Sequence, residues 1–345
     1  MASKLGAVET NLELLRTFFP DGDFGGEPMV TDQGDKGYLI GAAALSLLNT
    51  GRPDLAIASF QRSRSVSLAQ PDWAGASADC QNLGESHMLR GALARAAEAA
   101  SNALDYMSKM PDEHQVKNVY TVFSHGSVAT IAALCADNEA ASDHFAVAIK
   151  FVPLDWLPSL WGCWHCTWLA RRGQFDQARA GAQKNAALCQ EKGGLHEQTF
   201  SLATQGLMER LACAAADPHP AGLEVMADYA RRAVDIGRRS GYHFYLTYAL
   251  LEAGRCAVTR ARYDPPNRPA HVAEATRYLN EAQQRAADAG YRLILADLHV
   301  ARADLAKLAG DDEALRGHCR EAIAICDAPD CGYAWAKQDA EALLT

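Results

Sequence analysis

The chain has 345 residues, 49% hydrophobic and 22% charged, with a formal net charge of −9. This is apolar enough to build a core and too poorly charged for a disordered chain. The acidic balance gives no electrostatic reason to hold nucleic acid, and no stretch approaches the ~18 uninterrupted apolar residues of a membrane span.

Residues 1–35 read as an N-terminal capping segment. Leu12, Leu14, Leu15, Phe18 and Phe19 suggest a short helix that breaks at Pro20-Asp-Gly-Asp and Gly25-Gly-Glu-Pro28 and lies as a lid against the first repeat of the chain. Met1–Leu15 has no long apolar run and carries Glu9 and Glu13, so no secretory leader is expected. The ten cysteines fall mostly in apolar helical patterns, among them Cys80, Cys135, Cys213, Cys256 and Cys326. Reduced, buried thiols in a cytoplasmic protein are the expectation.

From residue 36 a mark recurs every 40 to 50 residues: a small residue ending an apolar helix, an Ala five later, an apolar residue nine later. Gly51–Ala56–Phe60, Gly91–Ala96–Ala100, Ala136–Ala141–Phe145 and Gly173–Ala178–Ala182 carry it, and Gly310–Leu315–Cys319 is a looser copy. Such a period signals stacked helical hairpins. Helices are predicted at about 36–50, on Tyr38, Ile40, Ala44, Leu47 and Leu48, and at about 53–68, with Pro53 at an early position where its missing N–H costs little. A second hairpin runs from Trp73 to about Met110 and a third over about 115–151, with Val119, Val122, Ala129 and Ala132 in its first helix. A break is expected near 153–158, between Pro153 and Pro158. A fourth hairpin covers about 159–192. A fifth starts near Leu195 and uses Asp217-Pro-His-Pro220 as its loop.

Arg231–Arg232 and Arg238–Arg239 form the only basic cluster, beside Asp228 and Asp235, and read as a solvated face. Gly241-Tyr242, Gly290-Tyr291 and Gly332-Tyr333 each open a helix, Gly serving the left-handed exit from the helix before. Their spacings are 49 and 42 residues, and the longer is assigned to a loop insertion at Asp264-Pro-Pro-Asn-Arg-Pro269. Residues 333–345 form a C-terminal capping helix, leaving 36–332 as the array. In each hairpin a small residue of the first helix (Ala44, Gly84, Ala129, Cys166, Ala303) lets the second approach to the usual ~8–10 Å. The predicted fold is all-α, a right-handed α-solenoid of about seven hairpins.

These small and aromatic positions resemble tetratricopeptide (TPR) repeats. More narrowly, Leu12-Glu-Leu-Leu-Arg-Thr-Phe-Phe-Pro-Asp-Gly22, Pro158-Ser-Leu-Trp-Gly-Cys-Trp-His-Cys-Thr-Trp-Leu169, Tyr291-Arg-Leu-Ile-Leu-Ala-Asp-Leu-His299 and Gly332-Tyr333 resemble the C-terminal sensor region of bacterial STAND-type signalling ATPases. The resemblance implies a sensor whose array recognises a protein or peptide trigger and works with an ATPase or effector module. No Gly-x-x-x-x-Gly-Lys-[Ser/Thr] loop is present, so no ATPase is expected in this chain itself. A similar array in large bacterial transcription activators binds a small inducer, which gives a second reading.

Candidate chemistry is sparse. Cys163 and Cys166 share a helical face beside His165, the one motive for an enzyme or metal reading. A zinc site needs four ligands, and packed cysteines are the plainer expectation. Cys163 falls on the groove side and is the better candidate for a reactive thiol. His196-Glu197-Gln198-Thr199-Phe200 begins like a zinc-protease helix but has Phe where the second His belongs. His125 and His299 occupy equivalent positions and read as satisfied core histidines. The aromatic run Tyr242–Tyr248 reads as core, with a ligand-binding patch as the alternative. No nucleophile-elbow motif occurs, and no cofactor is expected. The expected ligand-binding surface is the concave groove. Repeat register places Gln81, Glu85, Phe123, Thr130, Cys163, Thr167, Tyr248, Arg255 and Asp304 along it, acidic early and with an arginine later.

Overall fold

The structure, a computed structural model, describes residues 7–114, 116–215 and 220–345. They form sixteen α-helices and no strand is found among them. Two compact units divide the chain, residues 7–157 and 158–345.

The first unit contains α1 (Val8–Arg16), then the hairpins α2 (Gln33–Asn49) with α3 (Pro53–Ala69), α4 (Trp73–Leu89) with α5 (Leu93–Ser108), and α6 (Lys117–Leu134) with α7 (Asn138–Lys150). The second contains α8 (Ser159–Arg171) with α9 (Phe175–Lys192), α10 (Leu195–Ala215) with α11 (Pro220–Ser240), α12 (His243–Tyr263) with α13 (Arg268–Ala289), α14 (Arg292–Ala309) with α15 (Asp312–Cys326), and a single last helix α16 (Ala334–Leu344). Seven hairpins result. The loop expected at 217–220 lies outside the described residues except for Pro220, which starts α11.

Hairpin geometry follows from local chemistry. The residue between the helices takes a left-handed backbone, at Gly51, Gly91, Gly173 and Gly310, and at Ala136 with φ +61°. Gly241, Gly290 and Gly332 do the same between hairpins, and Tyr242, Tyr291 and Tyr333 follow at the N-caps as the sequence suggested. Asp32, Asp72, Asp137 and Asp311 cap helix N-termini by accepting from a backbone N–H three residues on. Close approach is visible at Gly84, where an added Cβ would meet Ala96 O at 3.5 Å and Ala100 N at 3.8 Å. At Gly254 the fit is tighter still, with Leu279 Cδ2 only 2.5 Å from where a Cβ would lie.

The capping segment packs Leu15 and Phe19 against Leu39, Ile40 and Ala43. Arg62 ties its loop down by donating to Phe24 O (2.7 Å) and Gly26 O (2.8 Å). Three sequence expectations need correction here. Leu14 on α1, Phe18 in the turn after it and Tyr38 on α2 face outward, away from the side on which each segment packs. Cys135 is exposed, since it caps α6 after its last turn. The long repeat at 241–290 is not a loop insertion: 265–267 are a single 3₁₀ turn, and α12 and α13 are simply longer, at 21 and 22 residues.

Candidate functional site: the first-helix face of the second unit

In the second unit the first helices of successive hairpins, α8, α10, α12, α14 and then α16, carry a chain of opposite charges. Arg255 on α12 donates to Glu252 Oε1 (2.6 Å) and across to Asp297 Oδ1 on α14 (2.7 Å). Arg210 on α10 reaches the other Glu252 oxygen at 3.3 Å. Tyr333, at the start of α16, donates its hydroxyl to Asp297 Oδ2 at 2.9 Å. Arg171 on α8 pairs with both carboxylate oxygens of Asp339 on α16 (2.8 and 3.1 Å), donates to Trp335 O (2.9 Å) and lies over the Trp335 ring. Arg262 pairs with Asp304, and Arg179 grips Glu209 at 2.7 and 3.0 Å.

Geometry decides the charge states. Glu252 is 1% exposed. Burial alone would push its carboxyl up, but Arg255 and Arg210 hold it below the ordinary value. Burial raises the Asp339 carboxyl despite Arg171, and burial drives the Tyr248 hydroxyl far above its usual range. The network is therefore ionised at its centre, a costly arrangement unless each partner is matched.

Among the described residues, Arg210 at its Nε and Gln205 at both ends of its amide keep buried polar atoms unmatched. Gln205 on α10 is 1% exposed, and neither its amide nitrogen nor its amide oxygen has a hydrogen-bond partner among the described residues. Orphaned buried amides are uncommon in folded chains. Partly open charges of both signs lie on the first helices and α16 of this unit, Arg171, Arg262, Asp304 and Asp339, with Arg179 on α9.

The nine groove residues expected from sequence distribute unevenly. Gln81, Thr130, Cys163, Thr167 and Tyr248 are buried. Glu85, Arg255 and Asp304 are partly open, and Phe123 is exposed. Gln81 joins α4 to α6 by donating to Ser124 Oγ at 2.8 Å. Tyr248 packs its ring on Phe200 (5.0 Å) and Trp164 (6.4 Å). The second unit brings Tyr248, Arg255 and Asp304 to its first-helix face, whereas Gln81, Glu85, Phe123 and Thr130 belong to the first unit. Sequence reading missed Arg171, Gln205, Arg210, Glu252, Asp297 and Asp339. A signal existed: Arg210 to Glu252, Arg255 to Asp297 and Arg262 to Asp304 are each 42 residues apart, one repeat of opposite charges.

The reactive-thiol expectation is corrected. Cys163 is 1% exposed, accepts from Asn185 Nδ2 at 3.2 Å, and burial raises its thiol well above the ordinary value. Burial also pushes Cys166 up to about 12 and lowers His165 to about 4. A thiol that does not ionise beside an imidazole is not an activated nucleophile. Tyr242, Phe244, Tyr245 and Tyr248 interlock with His196, Phe200 and Tyr291 as core. Among the described residues no three His, Cys, Asp or Glu side chains converge as metal ligands, and no helix is long and apolar enough to cross a membrane.

A Rap protein solved in complex with Competence and Sporulation Factor matches with a TM-score of 0.56 at 9% identity, over 99% of this chain and 92% of that one. The TPR domain of P58(IPK) matches over 98% of both chains at 11% identity, but its TM-score of 0.27 carries no argument. No protein-family model and no curated protein matches the sequence. The chain thus has the fold of a TPR-like α-solenoid.

Proposed function

We propose that the protein is a non-catalytic binding module, and that the first-helix face of its second unit receives a protein or peptide segment. The observation that carries this reading is the run of opposite charges along that face, Arg210 with Glu252, Arg255 with Asp297 and Arg262 with Asp304, recurring at one-repeat spacing. The rim charges, Arg171, Arg179, Arg262, Asp304 and Asp339, suit a segment bearing both signs. The fold relative solved with a bound factor supports the same use of the scaffold. The residues singled out from sequence that share this face, Tyr248, Arg255 and Asp304, act in this reading as its frame. The small-inducer reading loses its motive, because the aromatic run is spent on its own packing. The STAND-like features favour a bacterial signalling assembly in which a separate ATPase or effector module is the output partner.

The test is a peptide array of mixed-charge sequences probed with the full chain, followed by titration of the best binder. Arg262→Ala and Asp304→Ala are expected to weaken that peptide and to reduce the salt dependence of its binding, since partly open rim charges act through electrostatic complementarity. If no peptide binds while a defined small molecule raises the melting temperature, the proposal fails.

A further inference from the structure

Four histidines stand apart from the charged face and form two like pairs. In hairpin α6/α7, His125 Nδ1 lies 2.8 Å from His144 Nδ1. In hairpin α14/α15, in the other unit, His299 Nδ1 lies 3.2 Å from His318 Nδ1. Each pair is separated by 19 residues. Each has one histidine in the first helix and one in the second, at the same offsets from the turn residue, Ala136 or Gly310. The same offsets in three other hairpins hold Ile40 with Ser59, Cys80 with Ala99, and Gly162 with Gly181. The scaffold therefore does not need imidazoles there, yet two hairpins carry both.

Two nitrogens face each other in each pair, and all four rings are only partly buried. A neutral imidazole has one N–H and one lone pair. With both protons on Nε2, the two Nδ1 lone pairs point into one gap. At the usual metal–nitrogen distance of about 2.0–2.1 Å, ligands at right angles stand about 2.8–3.0 Å apart, and tetrahedral ligands about 3.3–3.4 Å apart. The observed separations of 2.8 and 3.2 Å fall close to those two values. Imidazole is a preferred ligand for Cu(II), Ni(II) and Zn(II).

We propose that the His125–His144 and His299–His318 pairs are binding sites for a divalent transition-metal ion, copper(II) above all, each clipping the two helices of its hairpin. Water completes the coordination, because no third protein ligand converges on either pair among the described residues. Asp143 stands near the first pair, and Arg302 and Glu321 near the second.

The test titrates copper(II) alone into the chelator-treated full chain, followed by calorimetry, thermal melting and electron paramagnetic resonance. The expected result is about two copper ions per chain, nitrogen hyperfine coupling in the spectrum, and a rise in melting temperature with metal concentration. His144→Gln and His318→Gln retain a neutral hydrogen-bonding partner but not an imidazole. Each is expected to remove one site, and the pair together both, while His114→Ala at an exposed position changes nothing. Far-ultraviolet circular dichroism confirms the fold of each variant. Unchanged copper stoichiometry in the double variant, or no binding by the parent chain, overturns the proposal and leaves the pairs as hydrogen bonds only.

Discussion

Replacing Arg255 by Met tests whether the charged face is a matched network. The guanidinium makes three contacts: Glu252 Oε1 at 2.6 Å, Asp297 Oδ1 at 2.7 Å and Asp297 O at 3.3 Å. Without it, Glu252 keeps only Arg210, at 3.3 Å, and Asp297 keeps only the Tyr333 hydroxyl. Glu252 would then be a nearly unpaired carboxylate at 1% exposure. Removing one partner of a buried pair costs about 3–5 kcal/mol, and Met restores part of the apolar contact, so a loss of about 3 kcal/mol is expected. Urea denaturation followed by circular dichroism measures it. The companion variant Arg255→Met with Asp297→Leu is expected to recover about half of the loss, since paired removal of buried charges is often close to neutral. A single-variant loss under about 1 kcal/mol would refute the claim that these charges are matched and buried.

Three further outcomes can be checked by the same melts. Ala136→Gly is expected to stabilise by about 0.5–1 kcal/mol, because a non-glycine residue at φ +61° carries a left-handed penalty that exceeds the chain entropy glycine adds. Gly254→Ala is expected to destabilise by about 1–3 kcal/mol, since its Cβ would fall 2.5 Å from Leu279 Cδ2; no change would mean α12 and α13 are not tightly packed. Asp79 supplies a pH dependence. Burial lifts its carboxyl to about 7 against Ser63 and Ser67, which pull it down. The folded state therefore holds a proton that the unfolded chain gives up from pH ~4, and stability falls as pH rises from ~4 to ~7. Asp79→Asn is expected to flatten that slope and to be the more stable protein at pH 8, by about 2–3 kcal/mol; an unchanged slope in urea melts at pH 5 and pH 8 would show that Asp79 is ionised throughout.

The hairpin array was legible because its constraints are local. A small residue at the turn, an Ala five later and a Gly-Tyr step into the next helix are each demanded by backbone or close packing, and they survive in the sequence at fixed spacing. Outward-facing Leu14, Phe18 and Tyr38 were not legible as such, since a long apolar side chain at helical spacing looks the same whichever side it takes. The groove residues suffered from a related ambiguity. Register assigns a position to the first helix of a hairpin, but whether that position is open or pressed against the next hairpin depends on stacking. Thr130 and Cys163 ended inside for that reason. Gln205 could not be read at all, because the absence of a partner is a property of everything around it.

The grip of Arg171 on Asp339 joins the opening helix of the second unit to its closing one, across 168 residues of sequence. An open string of hairpins can fray from a free end, one module at a time. A string whose ends are buckled together has no free end, so losing any one module means first unfastening the buckle. The unit should then melt in one step, and Arg171→Ala should split that step into a staggered release beginning at α16.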